Sequence, residues 1–389
     1  MPVGHHDLAK GGTMNALALL APIAVLGACL AATWLIRSRN MQYWLRGYLR
    51  SCGDRRRRTR QFPRHVYVCI ADHHEPFGGT QDLALALHRT RRWCDGYREA
   101  AANHRDSDGR PPRHTYFYPA EEYAAEIVDQ IAGLCRDGLG ELEVHLHHDG
   151  DNAENLHRTL RNFTAILHDR HGALRRDATT GQVLYCFVHG NWALDNSRPD
   201  GRWCGVDNEL SVLSDTGCRV DMTMPSAPSD TQTRKINSVY FAKGKPGCRK
   251  SHDFGRDVRV GDWARPGEIL MIQGPLGLNW RDGRWGVLPR IETGEISFDA
   301  RPSKERVRLW RTLAPAIDGA PEHVFVKLHM HGATDRSLTM LFDEGGLDRL
   351  WTLLEQEYRD RPGCRLHYVS AWEMAERIRR IATGDLLDS

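Results

Sequence analysis

The sequence predicts an α/β fold, a distorted (β/α) barrel of about seven parallel strands, preceded by one N-terminal transmembrane helix. Three observations predict it. Short apolar runs alternate with amphipathic stretches from residue 65 to the end, the rhythm of a parallel sheet covered on both faces. Polar residues gather at the C-terminal ends of those runs, where α/β folds build their sites. Before them, residues 14–36 carry no charge. That run is long enough for a ~30 Å hydrocarbon core at ~1.5 Å per residue.

The 389 residues are 41% hydrophobic and 26% charged, which excludes a collagen, a coiled coil and a disordered chain. Residues 1–13 read as a short tail and 14–36 as the span. Residues 37–64 read as a basic juxtamembrane collar, with ten Arg against the single acid Asp54. The net charge is only +3, so the remainder of the chain is acidic, which argues against nucleic acid as the main partner. The collar directly after the span predicts an inner-membrane protein by the positive-inside rule. It has its N-terminus outside and its catalytic domain in the cytoplasm. Ten cysteines without a CxxC pair fit a reducing compartment.

The domain proper spans 65–385. Its predicted strands are 65–72, 115–118, 142–148, 183–189, 218–224, 268–273, 323–329 and 366–369. Each is a short run rich in Val, Ile, Leu, Phe or Tyr. The predicted helices are 81–104, 120–136, 153–170, 303–317, 346–360 and 371–382, punctuated by residues such as Gly172 and Pro302. Residues 225–265, rich in Ser, Thr, Gly, Lys and Pro, break the rhythm and read as a loop insertion.

The chemistry sits at strand ends. The first strand closes on Asp72-His73-His74-Glu75 and the third on His145-Leu-His147-His148-Asp149-Gly-Asp151. The fourth closes on His189-Gly-Asn191-Trp192, and a late one on Lys327-Leu-His329-Met-His331. Imidazoles and carboxylates from separate strands on one rim are a metal-site pattern, because such groups are costly to bury without partners.

In order along residues 65–382, these motifs resemble the metal-dependent polysaccharide deacetylases, carbohydrate esterase family four. The resemblance rests on Asp72-His73, Thr115-Tyr116-Phe117-Tyr118, Glu143-Val144-His145-Leu146-His147 with Asp151 four residues on, and Lys327-Leu328-His329. Three positions depart from the family: His73 stands where it has a second Asp, Asp151 where it has a second His, and its Arg at the fourth strand is absent, with His189 or Asn191 in that region. The resemblance implies His73, His147 and Asp151 as metal ligands, with His74 and His148 as adjacent rivals. It implies Asp72 as base and His329 as the acid that protonates the leaving amine. The cofactor is a divalent ion, zinc first, with Mn, Co, Ni or Fe as alternatives. His189, Asn191 and Trp192 are candidate substrate contacts, and Asp221 and Arg219 candidate supports. The activity implied is removal of an N-acetyl group from a nucleotide-linked or lipid-linked sugar, beside polysaccharide-synthesis enzymes. The rival readings are another metal hydrolase on the same barrel, a glycosidase or a phosphoester hydrolase, or an inactive sugar-binding or partner-binding barrel.

Overall fold

A computed structural model describes residues 12–284 and 288–385. Fourteen strands are described. In chain order they are β1 (His65–His73), β2 (His114–Pro119), β3 (Gly140–Leu146), β4 (Arg175–Arg176) and β5 (Val183–His189). Next come β6 (Cys218–Asp221), β7 (Val239–Ala242), β8 (Arg256–Asp257), β9 (Ile269–Ile272) and the hairpin β10 (Gly277–Arg284) and β11 (Leu288–Glu292). The last are β12 (Ala316–Ile317), β13 (Ala320–Met330) and β14 (Arg365–Tyr368). All eight predicted strands are present, within a few residues at either end.

Twelve of these strands form one sheet in the order β12-β13-β1-β2-β3-β5-β6-β9-β7-β8, with β14 also on β1 and β4 on β5. From β13 to β9 every pairing is parallel, and β12, β7, β8 and β4 join antiparallel. The expected seven-stranded barrel is therefore corrected to a larger mixed sheet. Its two ends meet through a single isolated bridge, Arg259 with Asp318, and not through a continuous ladder. The stretch 225–265 is not a plain loop: it supplies β7 and β8. Their Tyr240 and Phe241 alternate between the two faces of the sheet, as strand residues must.

One face of the sheet packs under helices, with Trp93, Tyr97, Ile131, Leu160 and Trp351 meeting Val68, Tyr116 and Val144. The opposite face holds Cys69, Phe117, Val188, Met222 and Phe325, and the helix Ala371–Ala382 lies against it through Met374 and Ile378. That helix starts on a capping box between Ser370 and Glu373.

Among the described residues, no helix is long and apolar enough to cross a membrane. This overturns the expected transmembrane helix at 14–36, and with it the single-pass inner-membrane placement. Gly12–Ser38 forms a helix with Pro22 inside it and Arg37 in its last turn.

Candidate metal centre at the rim of the sheet

Strand alternation decides what reaches the centre of the rim. Asp72 pairs in register with Met330 and Tyr116, both in the core under the helices. His73, one residue on, pairs with Phe117 on the opposite face. A single step along a strand reverses the side-chain direction. Asp72 and His73 therefore serve different neighbourhoods.

Asp72 is wholly buried. Its Oδ2 lies 2.7 Å from His74 Nδ1 and 3.2 Å from His114 Nε2, and its Oδ1 accepts the Gly332 N–H at 2.7 Å. Burial alone would raise its pKa. The bonds from His114 and His74 outweigh that and hold the carboxyl well below the usual carboxylate range. With both oxygens engaged and no solvent contact, Asp72 ties the ends of β1, β2 and β13 together. That is the arrangement of an anchor, not of a base acting on water. His74, a rival ligand in the sequence reading, belongs to the same knot.

His73 meets a different set. Its ring centroid is 4.6 Å from those of His145 and His331 and 5.7 Å from that of Trp192. Glu75 Oε1 lies 2.9 Å from His145 Nε2, 3.6 Å from His147 Nε2 and 3.9 Å from His73 Nδ1. The ligand atoms of His73, Glu75 and His145 all lie within 4.8 Å of one another. Two details fit a metal ion here. His73 Nδ1 is buried without a hydrogen bond. His145 Nδ1 faces the Val188 carbonyl at 2.9 Å while its Nε2 is hydrogen-bonded to Glu75 Oε1 at 2.9 Å, so an ion between them would replace the Nε2 proton and keep the ring oriented by Val188. His147 stands at the mouth, about a third exposed. Its Nδ1 is held by Glu121 Oε1 at 2.5 Å. Burial opposes the imidazolium, but the Glu121 bond and the charges of Glu75, Glu121 and Glu122 raise the His147 pKa overall.

The predicted ligand set is thus split. His73 and His147 come together, but Asp151 lies elsewhere. Its Oδ2 faces His148 Nδ1 at 3.2 Å, and its Oδ1 accepts from Asn152 N and Asn155 Nδ2 at 2.8 Å. His148 Nε2 in turn faces Glu209 Oε1 at 3.0 Å, beside His189 and Cys204. His148, His189, Cys204 and Glu209 form a second group of candidate metal ligands, so the chain holds donor sets compatible with a metal ion.

Of the predicted substrate contacts, Trp192 alone meets the open cluster. Its backbone is left-handed, φ 56°, a conformation non-glycine residues rarely adopt away from functional or tightly fixed loops. The Asn191 amide is turned onto His189 Nδ1, and His189 sits with the second group. His329 lies inside the sheet near Lys327. Burial, then Lys327, His331 and Arg306, push its pKa well below that of a free imidazole. It is therefore uncharged and unsuited to donate a proton near neutrality. Asp221 accepts the Thr223 Oγ1 hydroxyl at 2.8 Å, and that oxygen accepts the His189 N–H, so Asp221 reaches the backbone of His189 through Thr223. Arg219 turns away toward Gln182 and Ser214. Trp372 packs, partly buried, against the core of the sheet under the Arg175 guanidinium.

The sequence reading did not choose Glu75, His145 and His331 as site residues. Counting by two along each strand would have found them, since Glu75 shares parity with His73, His145 with His147, and His331 with His329. Cys204 and Glu209 follow an irregular loop and had no periodic signal. No family model matches the chain, and no curated protein matches it.

Proposed function

We propose that this chain is a metal-dependent hydrolase that removes an acyl group from a sugar. The observation that supports it best is the meeting of His73, Glu75 and His145 on an open rim, with His145 already oriented by the Val188 carbonyl. Catalytic metal sites keep one position open for water or substrate, and this rim reaches solvent through His147. The order of motifs along the chain adds the deacetylase resemblance, with the ligand set moved to His73, Glu75 and His145.

A divalent ion held there supplies Lewis acidity and a bound water of lowered pKa. The chain's own residues do the rest. His73, Glu75 and His145 hold the ion. Glu121 fixes the His147 ring so that Nε2 faces the cluster, where it can give a proton to the leaving amine. Trp192, beside His73 and His331, offers a flat apolar face to a sugar ring. Asp72 keeps the strand ends in register. The test is acetate release from N-acetylated sugars by the full chain, stripped of metal and then reloaded with zinc, manganese or cobalt. Release that returns with metal supports the proposal. A loaded, folded chain that releases no acetate from mono- and oligosaccharide donors contradicts it.

A further inference from the structure

We infer that His148, His189, Cys204 and Glu209 form a second metal site, closed and structural, whose ligand is a zinc-like ion. Their ligand atoms lie within 4.8 Å of one another. They come from four places: the residues after β3, the end of β5, the loop that follows it, and the first turn of the helix Glu209–Thr216. A thiol, two imidazoles and a carboxylate make a four-donor set suited to tetrahedral zinc. His189, Cys204 and Glu209 are wholly buried, and structural zinc sites are closed in this way.

Glu209 takes His148 Nε2 on Oε1 at 3.0 Å and the Cys204 thiol on Oε2 at 3.4 Å, but it does not reach His189. His189 Nε2 is buried without a hydrogen bond and stops 3.7 Å from Glu209 Oε1. Buried polar atoms rarely stay unpartnered, so this one points to a missing ligand. His189 Nδ1 takes the Asn191 amide across 3.2 Å. An ion on Nε2 would shift the ring proton to Nδ1 and give up that one long bond. The loss is small beside a metal–nitrogen bond.

The loop explains why an ion is useful there. Residues 190–208 contain one short 3₁₀ turn, Leu194–Asn196, and four non-glycine residues at positive φ: Trp192, Asp195, Asn196 and Trp203. Such a backbone makes few helix or strand hydrogen bonds and is held by side chains instead, among them Asp149 on the Trp203 N–H and Glu209 on the Asp195 N–H. His189 precedes the loop, Glu209 follows it and Cys204 lies near its end. An ion binding all three with His148 pins the loop to the sheet and fixes Trp192 against His73. The inference stands whether or not the open cluster is hydrolytic.

The experiment loads the metal-free full chain with cobalt(II), then displaces it with zinc. A cobalt–thiolate bond gives an intense near-ultraviolet charge-transfer band. The wild-type chain should show that band and bind two ions, and Cys204→Ser should lose the band and one ion. His145→Ala should keep the band and lose the other ion, which separates failure of this site from failure of the open one. A cobalt-saturated, folded wild-type chain without the band overturns the inference, as does a full band in Cys204→Ser. Should Cys204→Ser not fold, the wild-type spectrum and the folded Glu209→Gln chain, which should bind the thiolate-linked ion at least tenfold more weakly, decide it. Hydrogen exchange over 190–208 should slow when zinc is added to the wild-type chain. Unchanged exchange there contradicts the structural role.

Discussion

Two clusters of imidazoles and carboxylates stand side by side on this rim, and the strand end after β3 feeds both. His145 and His147 go to the open cluster with His73 and Glu75, and His148 goes to the closed one with His189, Cys204 and Glu209. The open cluster has only nitrogen and oxygen donors, a partly exposed imidazole and an aromatic neighbour. The closed cluster has a thiol, no exposed member except the edge of His148, and a loop wrapped around it. The difference teaches that neighbouring histidines in one motif need not share a task. Alternation and loop path, more than proximity in sequence, decide which ones can meet a substrate.

The sharpest way to break the comparison is at His145. His145→Ala removes a donor from the open cluster alone. Activity should fall by at least the ~10²-fold that loss of a mere supporting partner costs, with metal content halved and the fold intact. Equal loss of both ions would show that the clusters act as one.

Next comes His147. His147→Ala should cost on the order of 10²–10⁴ in kcat, the usual worth of a positioned acid, while leaving the open cluster's metal largely in place. Steady-state kinetics with metal analysis check this. Loss of the ion with the activity would make His147 a ligand.

Asp72 sharpens the contrast differently, because it belongs to neither cluster. Asp72→Asn should destabilise the chain by about 3 kcal/mol, the scale for losing a buried charged acceptor, while kcat of the folded fraction stays within threefold. Denaturant melts and active-site-normalised rates measure the two. The sign with pH follows from its lowered pKa. A carboxyl whose folded pKa lies below the unfolded ~3.9 contributes full stability above that value and loses it as pH falls. Wild type should therefore lose stability faster than Asp72→Asn as pH drops below about 4.

The smallest effect is at Trp192. Trp192→Ala should raise KM about tenfold, matching the ~1–1.5 kcal/mol of an aromatic face, with kcat little changed.

Much of the fold was legible because strand signals are local. The apolar runs at 65–72 and 183–189 became β1 and β5 with nearly the same bounds. β7 and β8 were hidden because Val239–Ala242 is only four residues long and flanked by loop-forming Ser, Lys and Gly. Closure depends on which distant strands pair, and no local pattern reports that Arg259 reaches Asp318. The site was half legible. His73 and His147 stand where the motifs put them, but ordering by family position promoted Asp72 over Glu75. The motif match ignored that Asp72 and His73 must face opposite sides. Cys204 and Glu209 were out of reach, since their meeting with His148 depends on the path of an irregular loop.

The central claim is that the open cluster is the hydrolytic centre. Anomalous diffraction at the zinc edge, from crystals of the zinc-loaded full chain, tests it most directly. The account predicts an anomalous peak bounded by His73, Glu75 and His145. Metal-dependent acetate release without any peak among those three residues would contradict it.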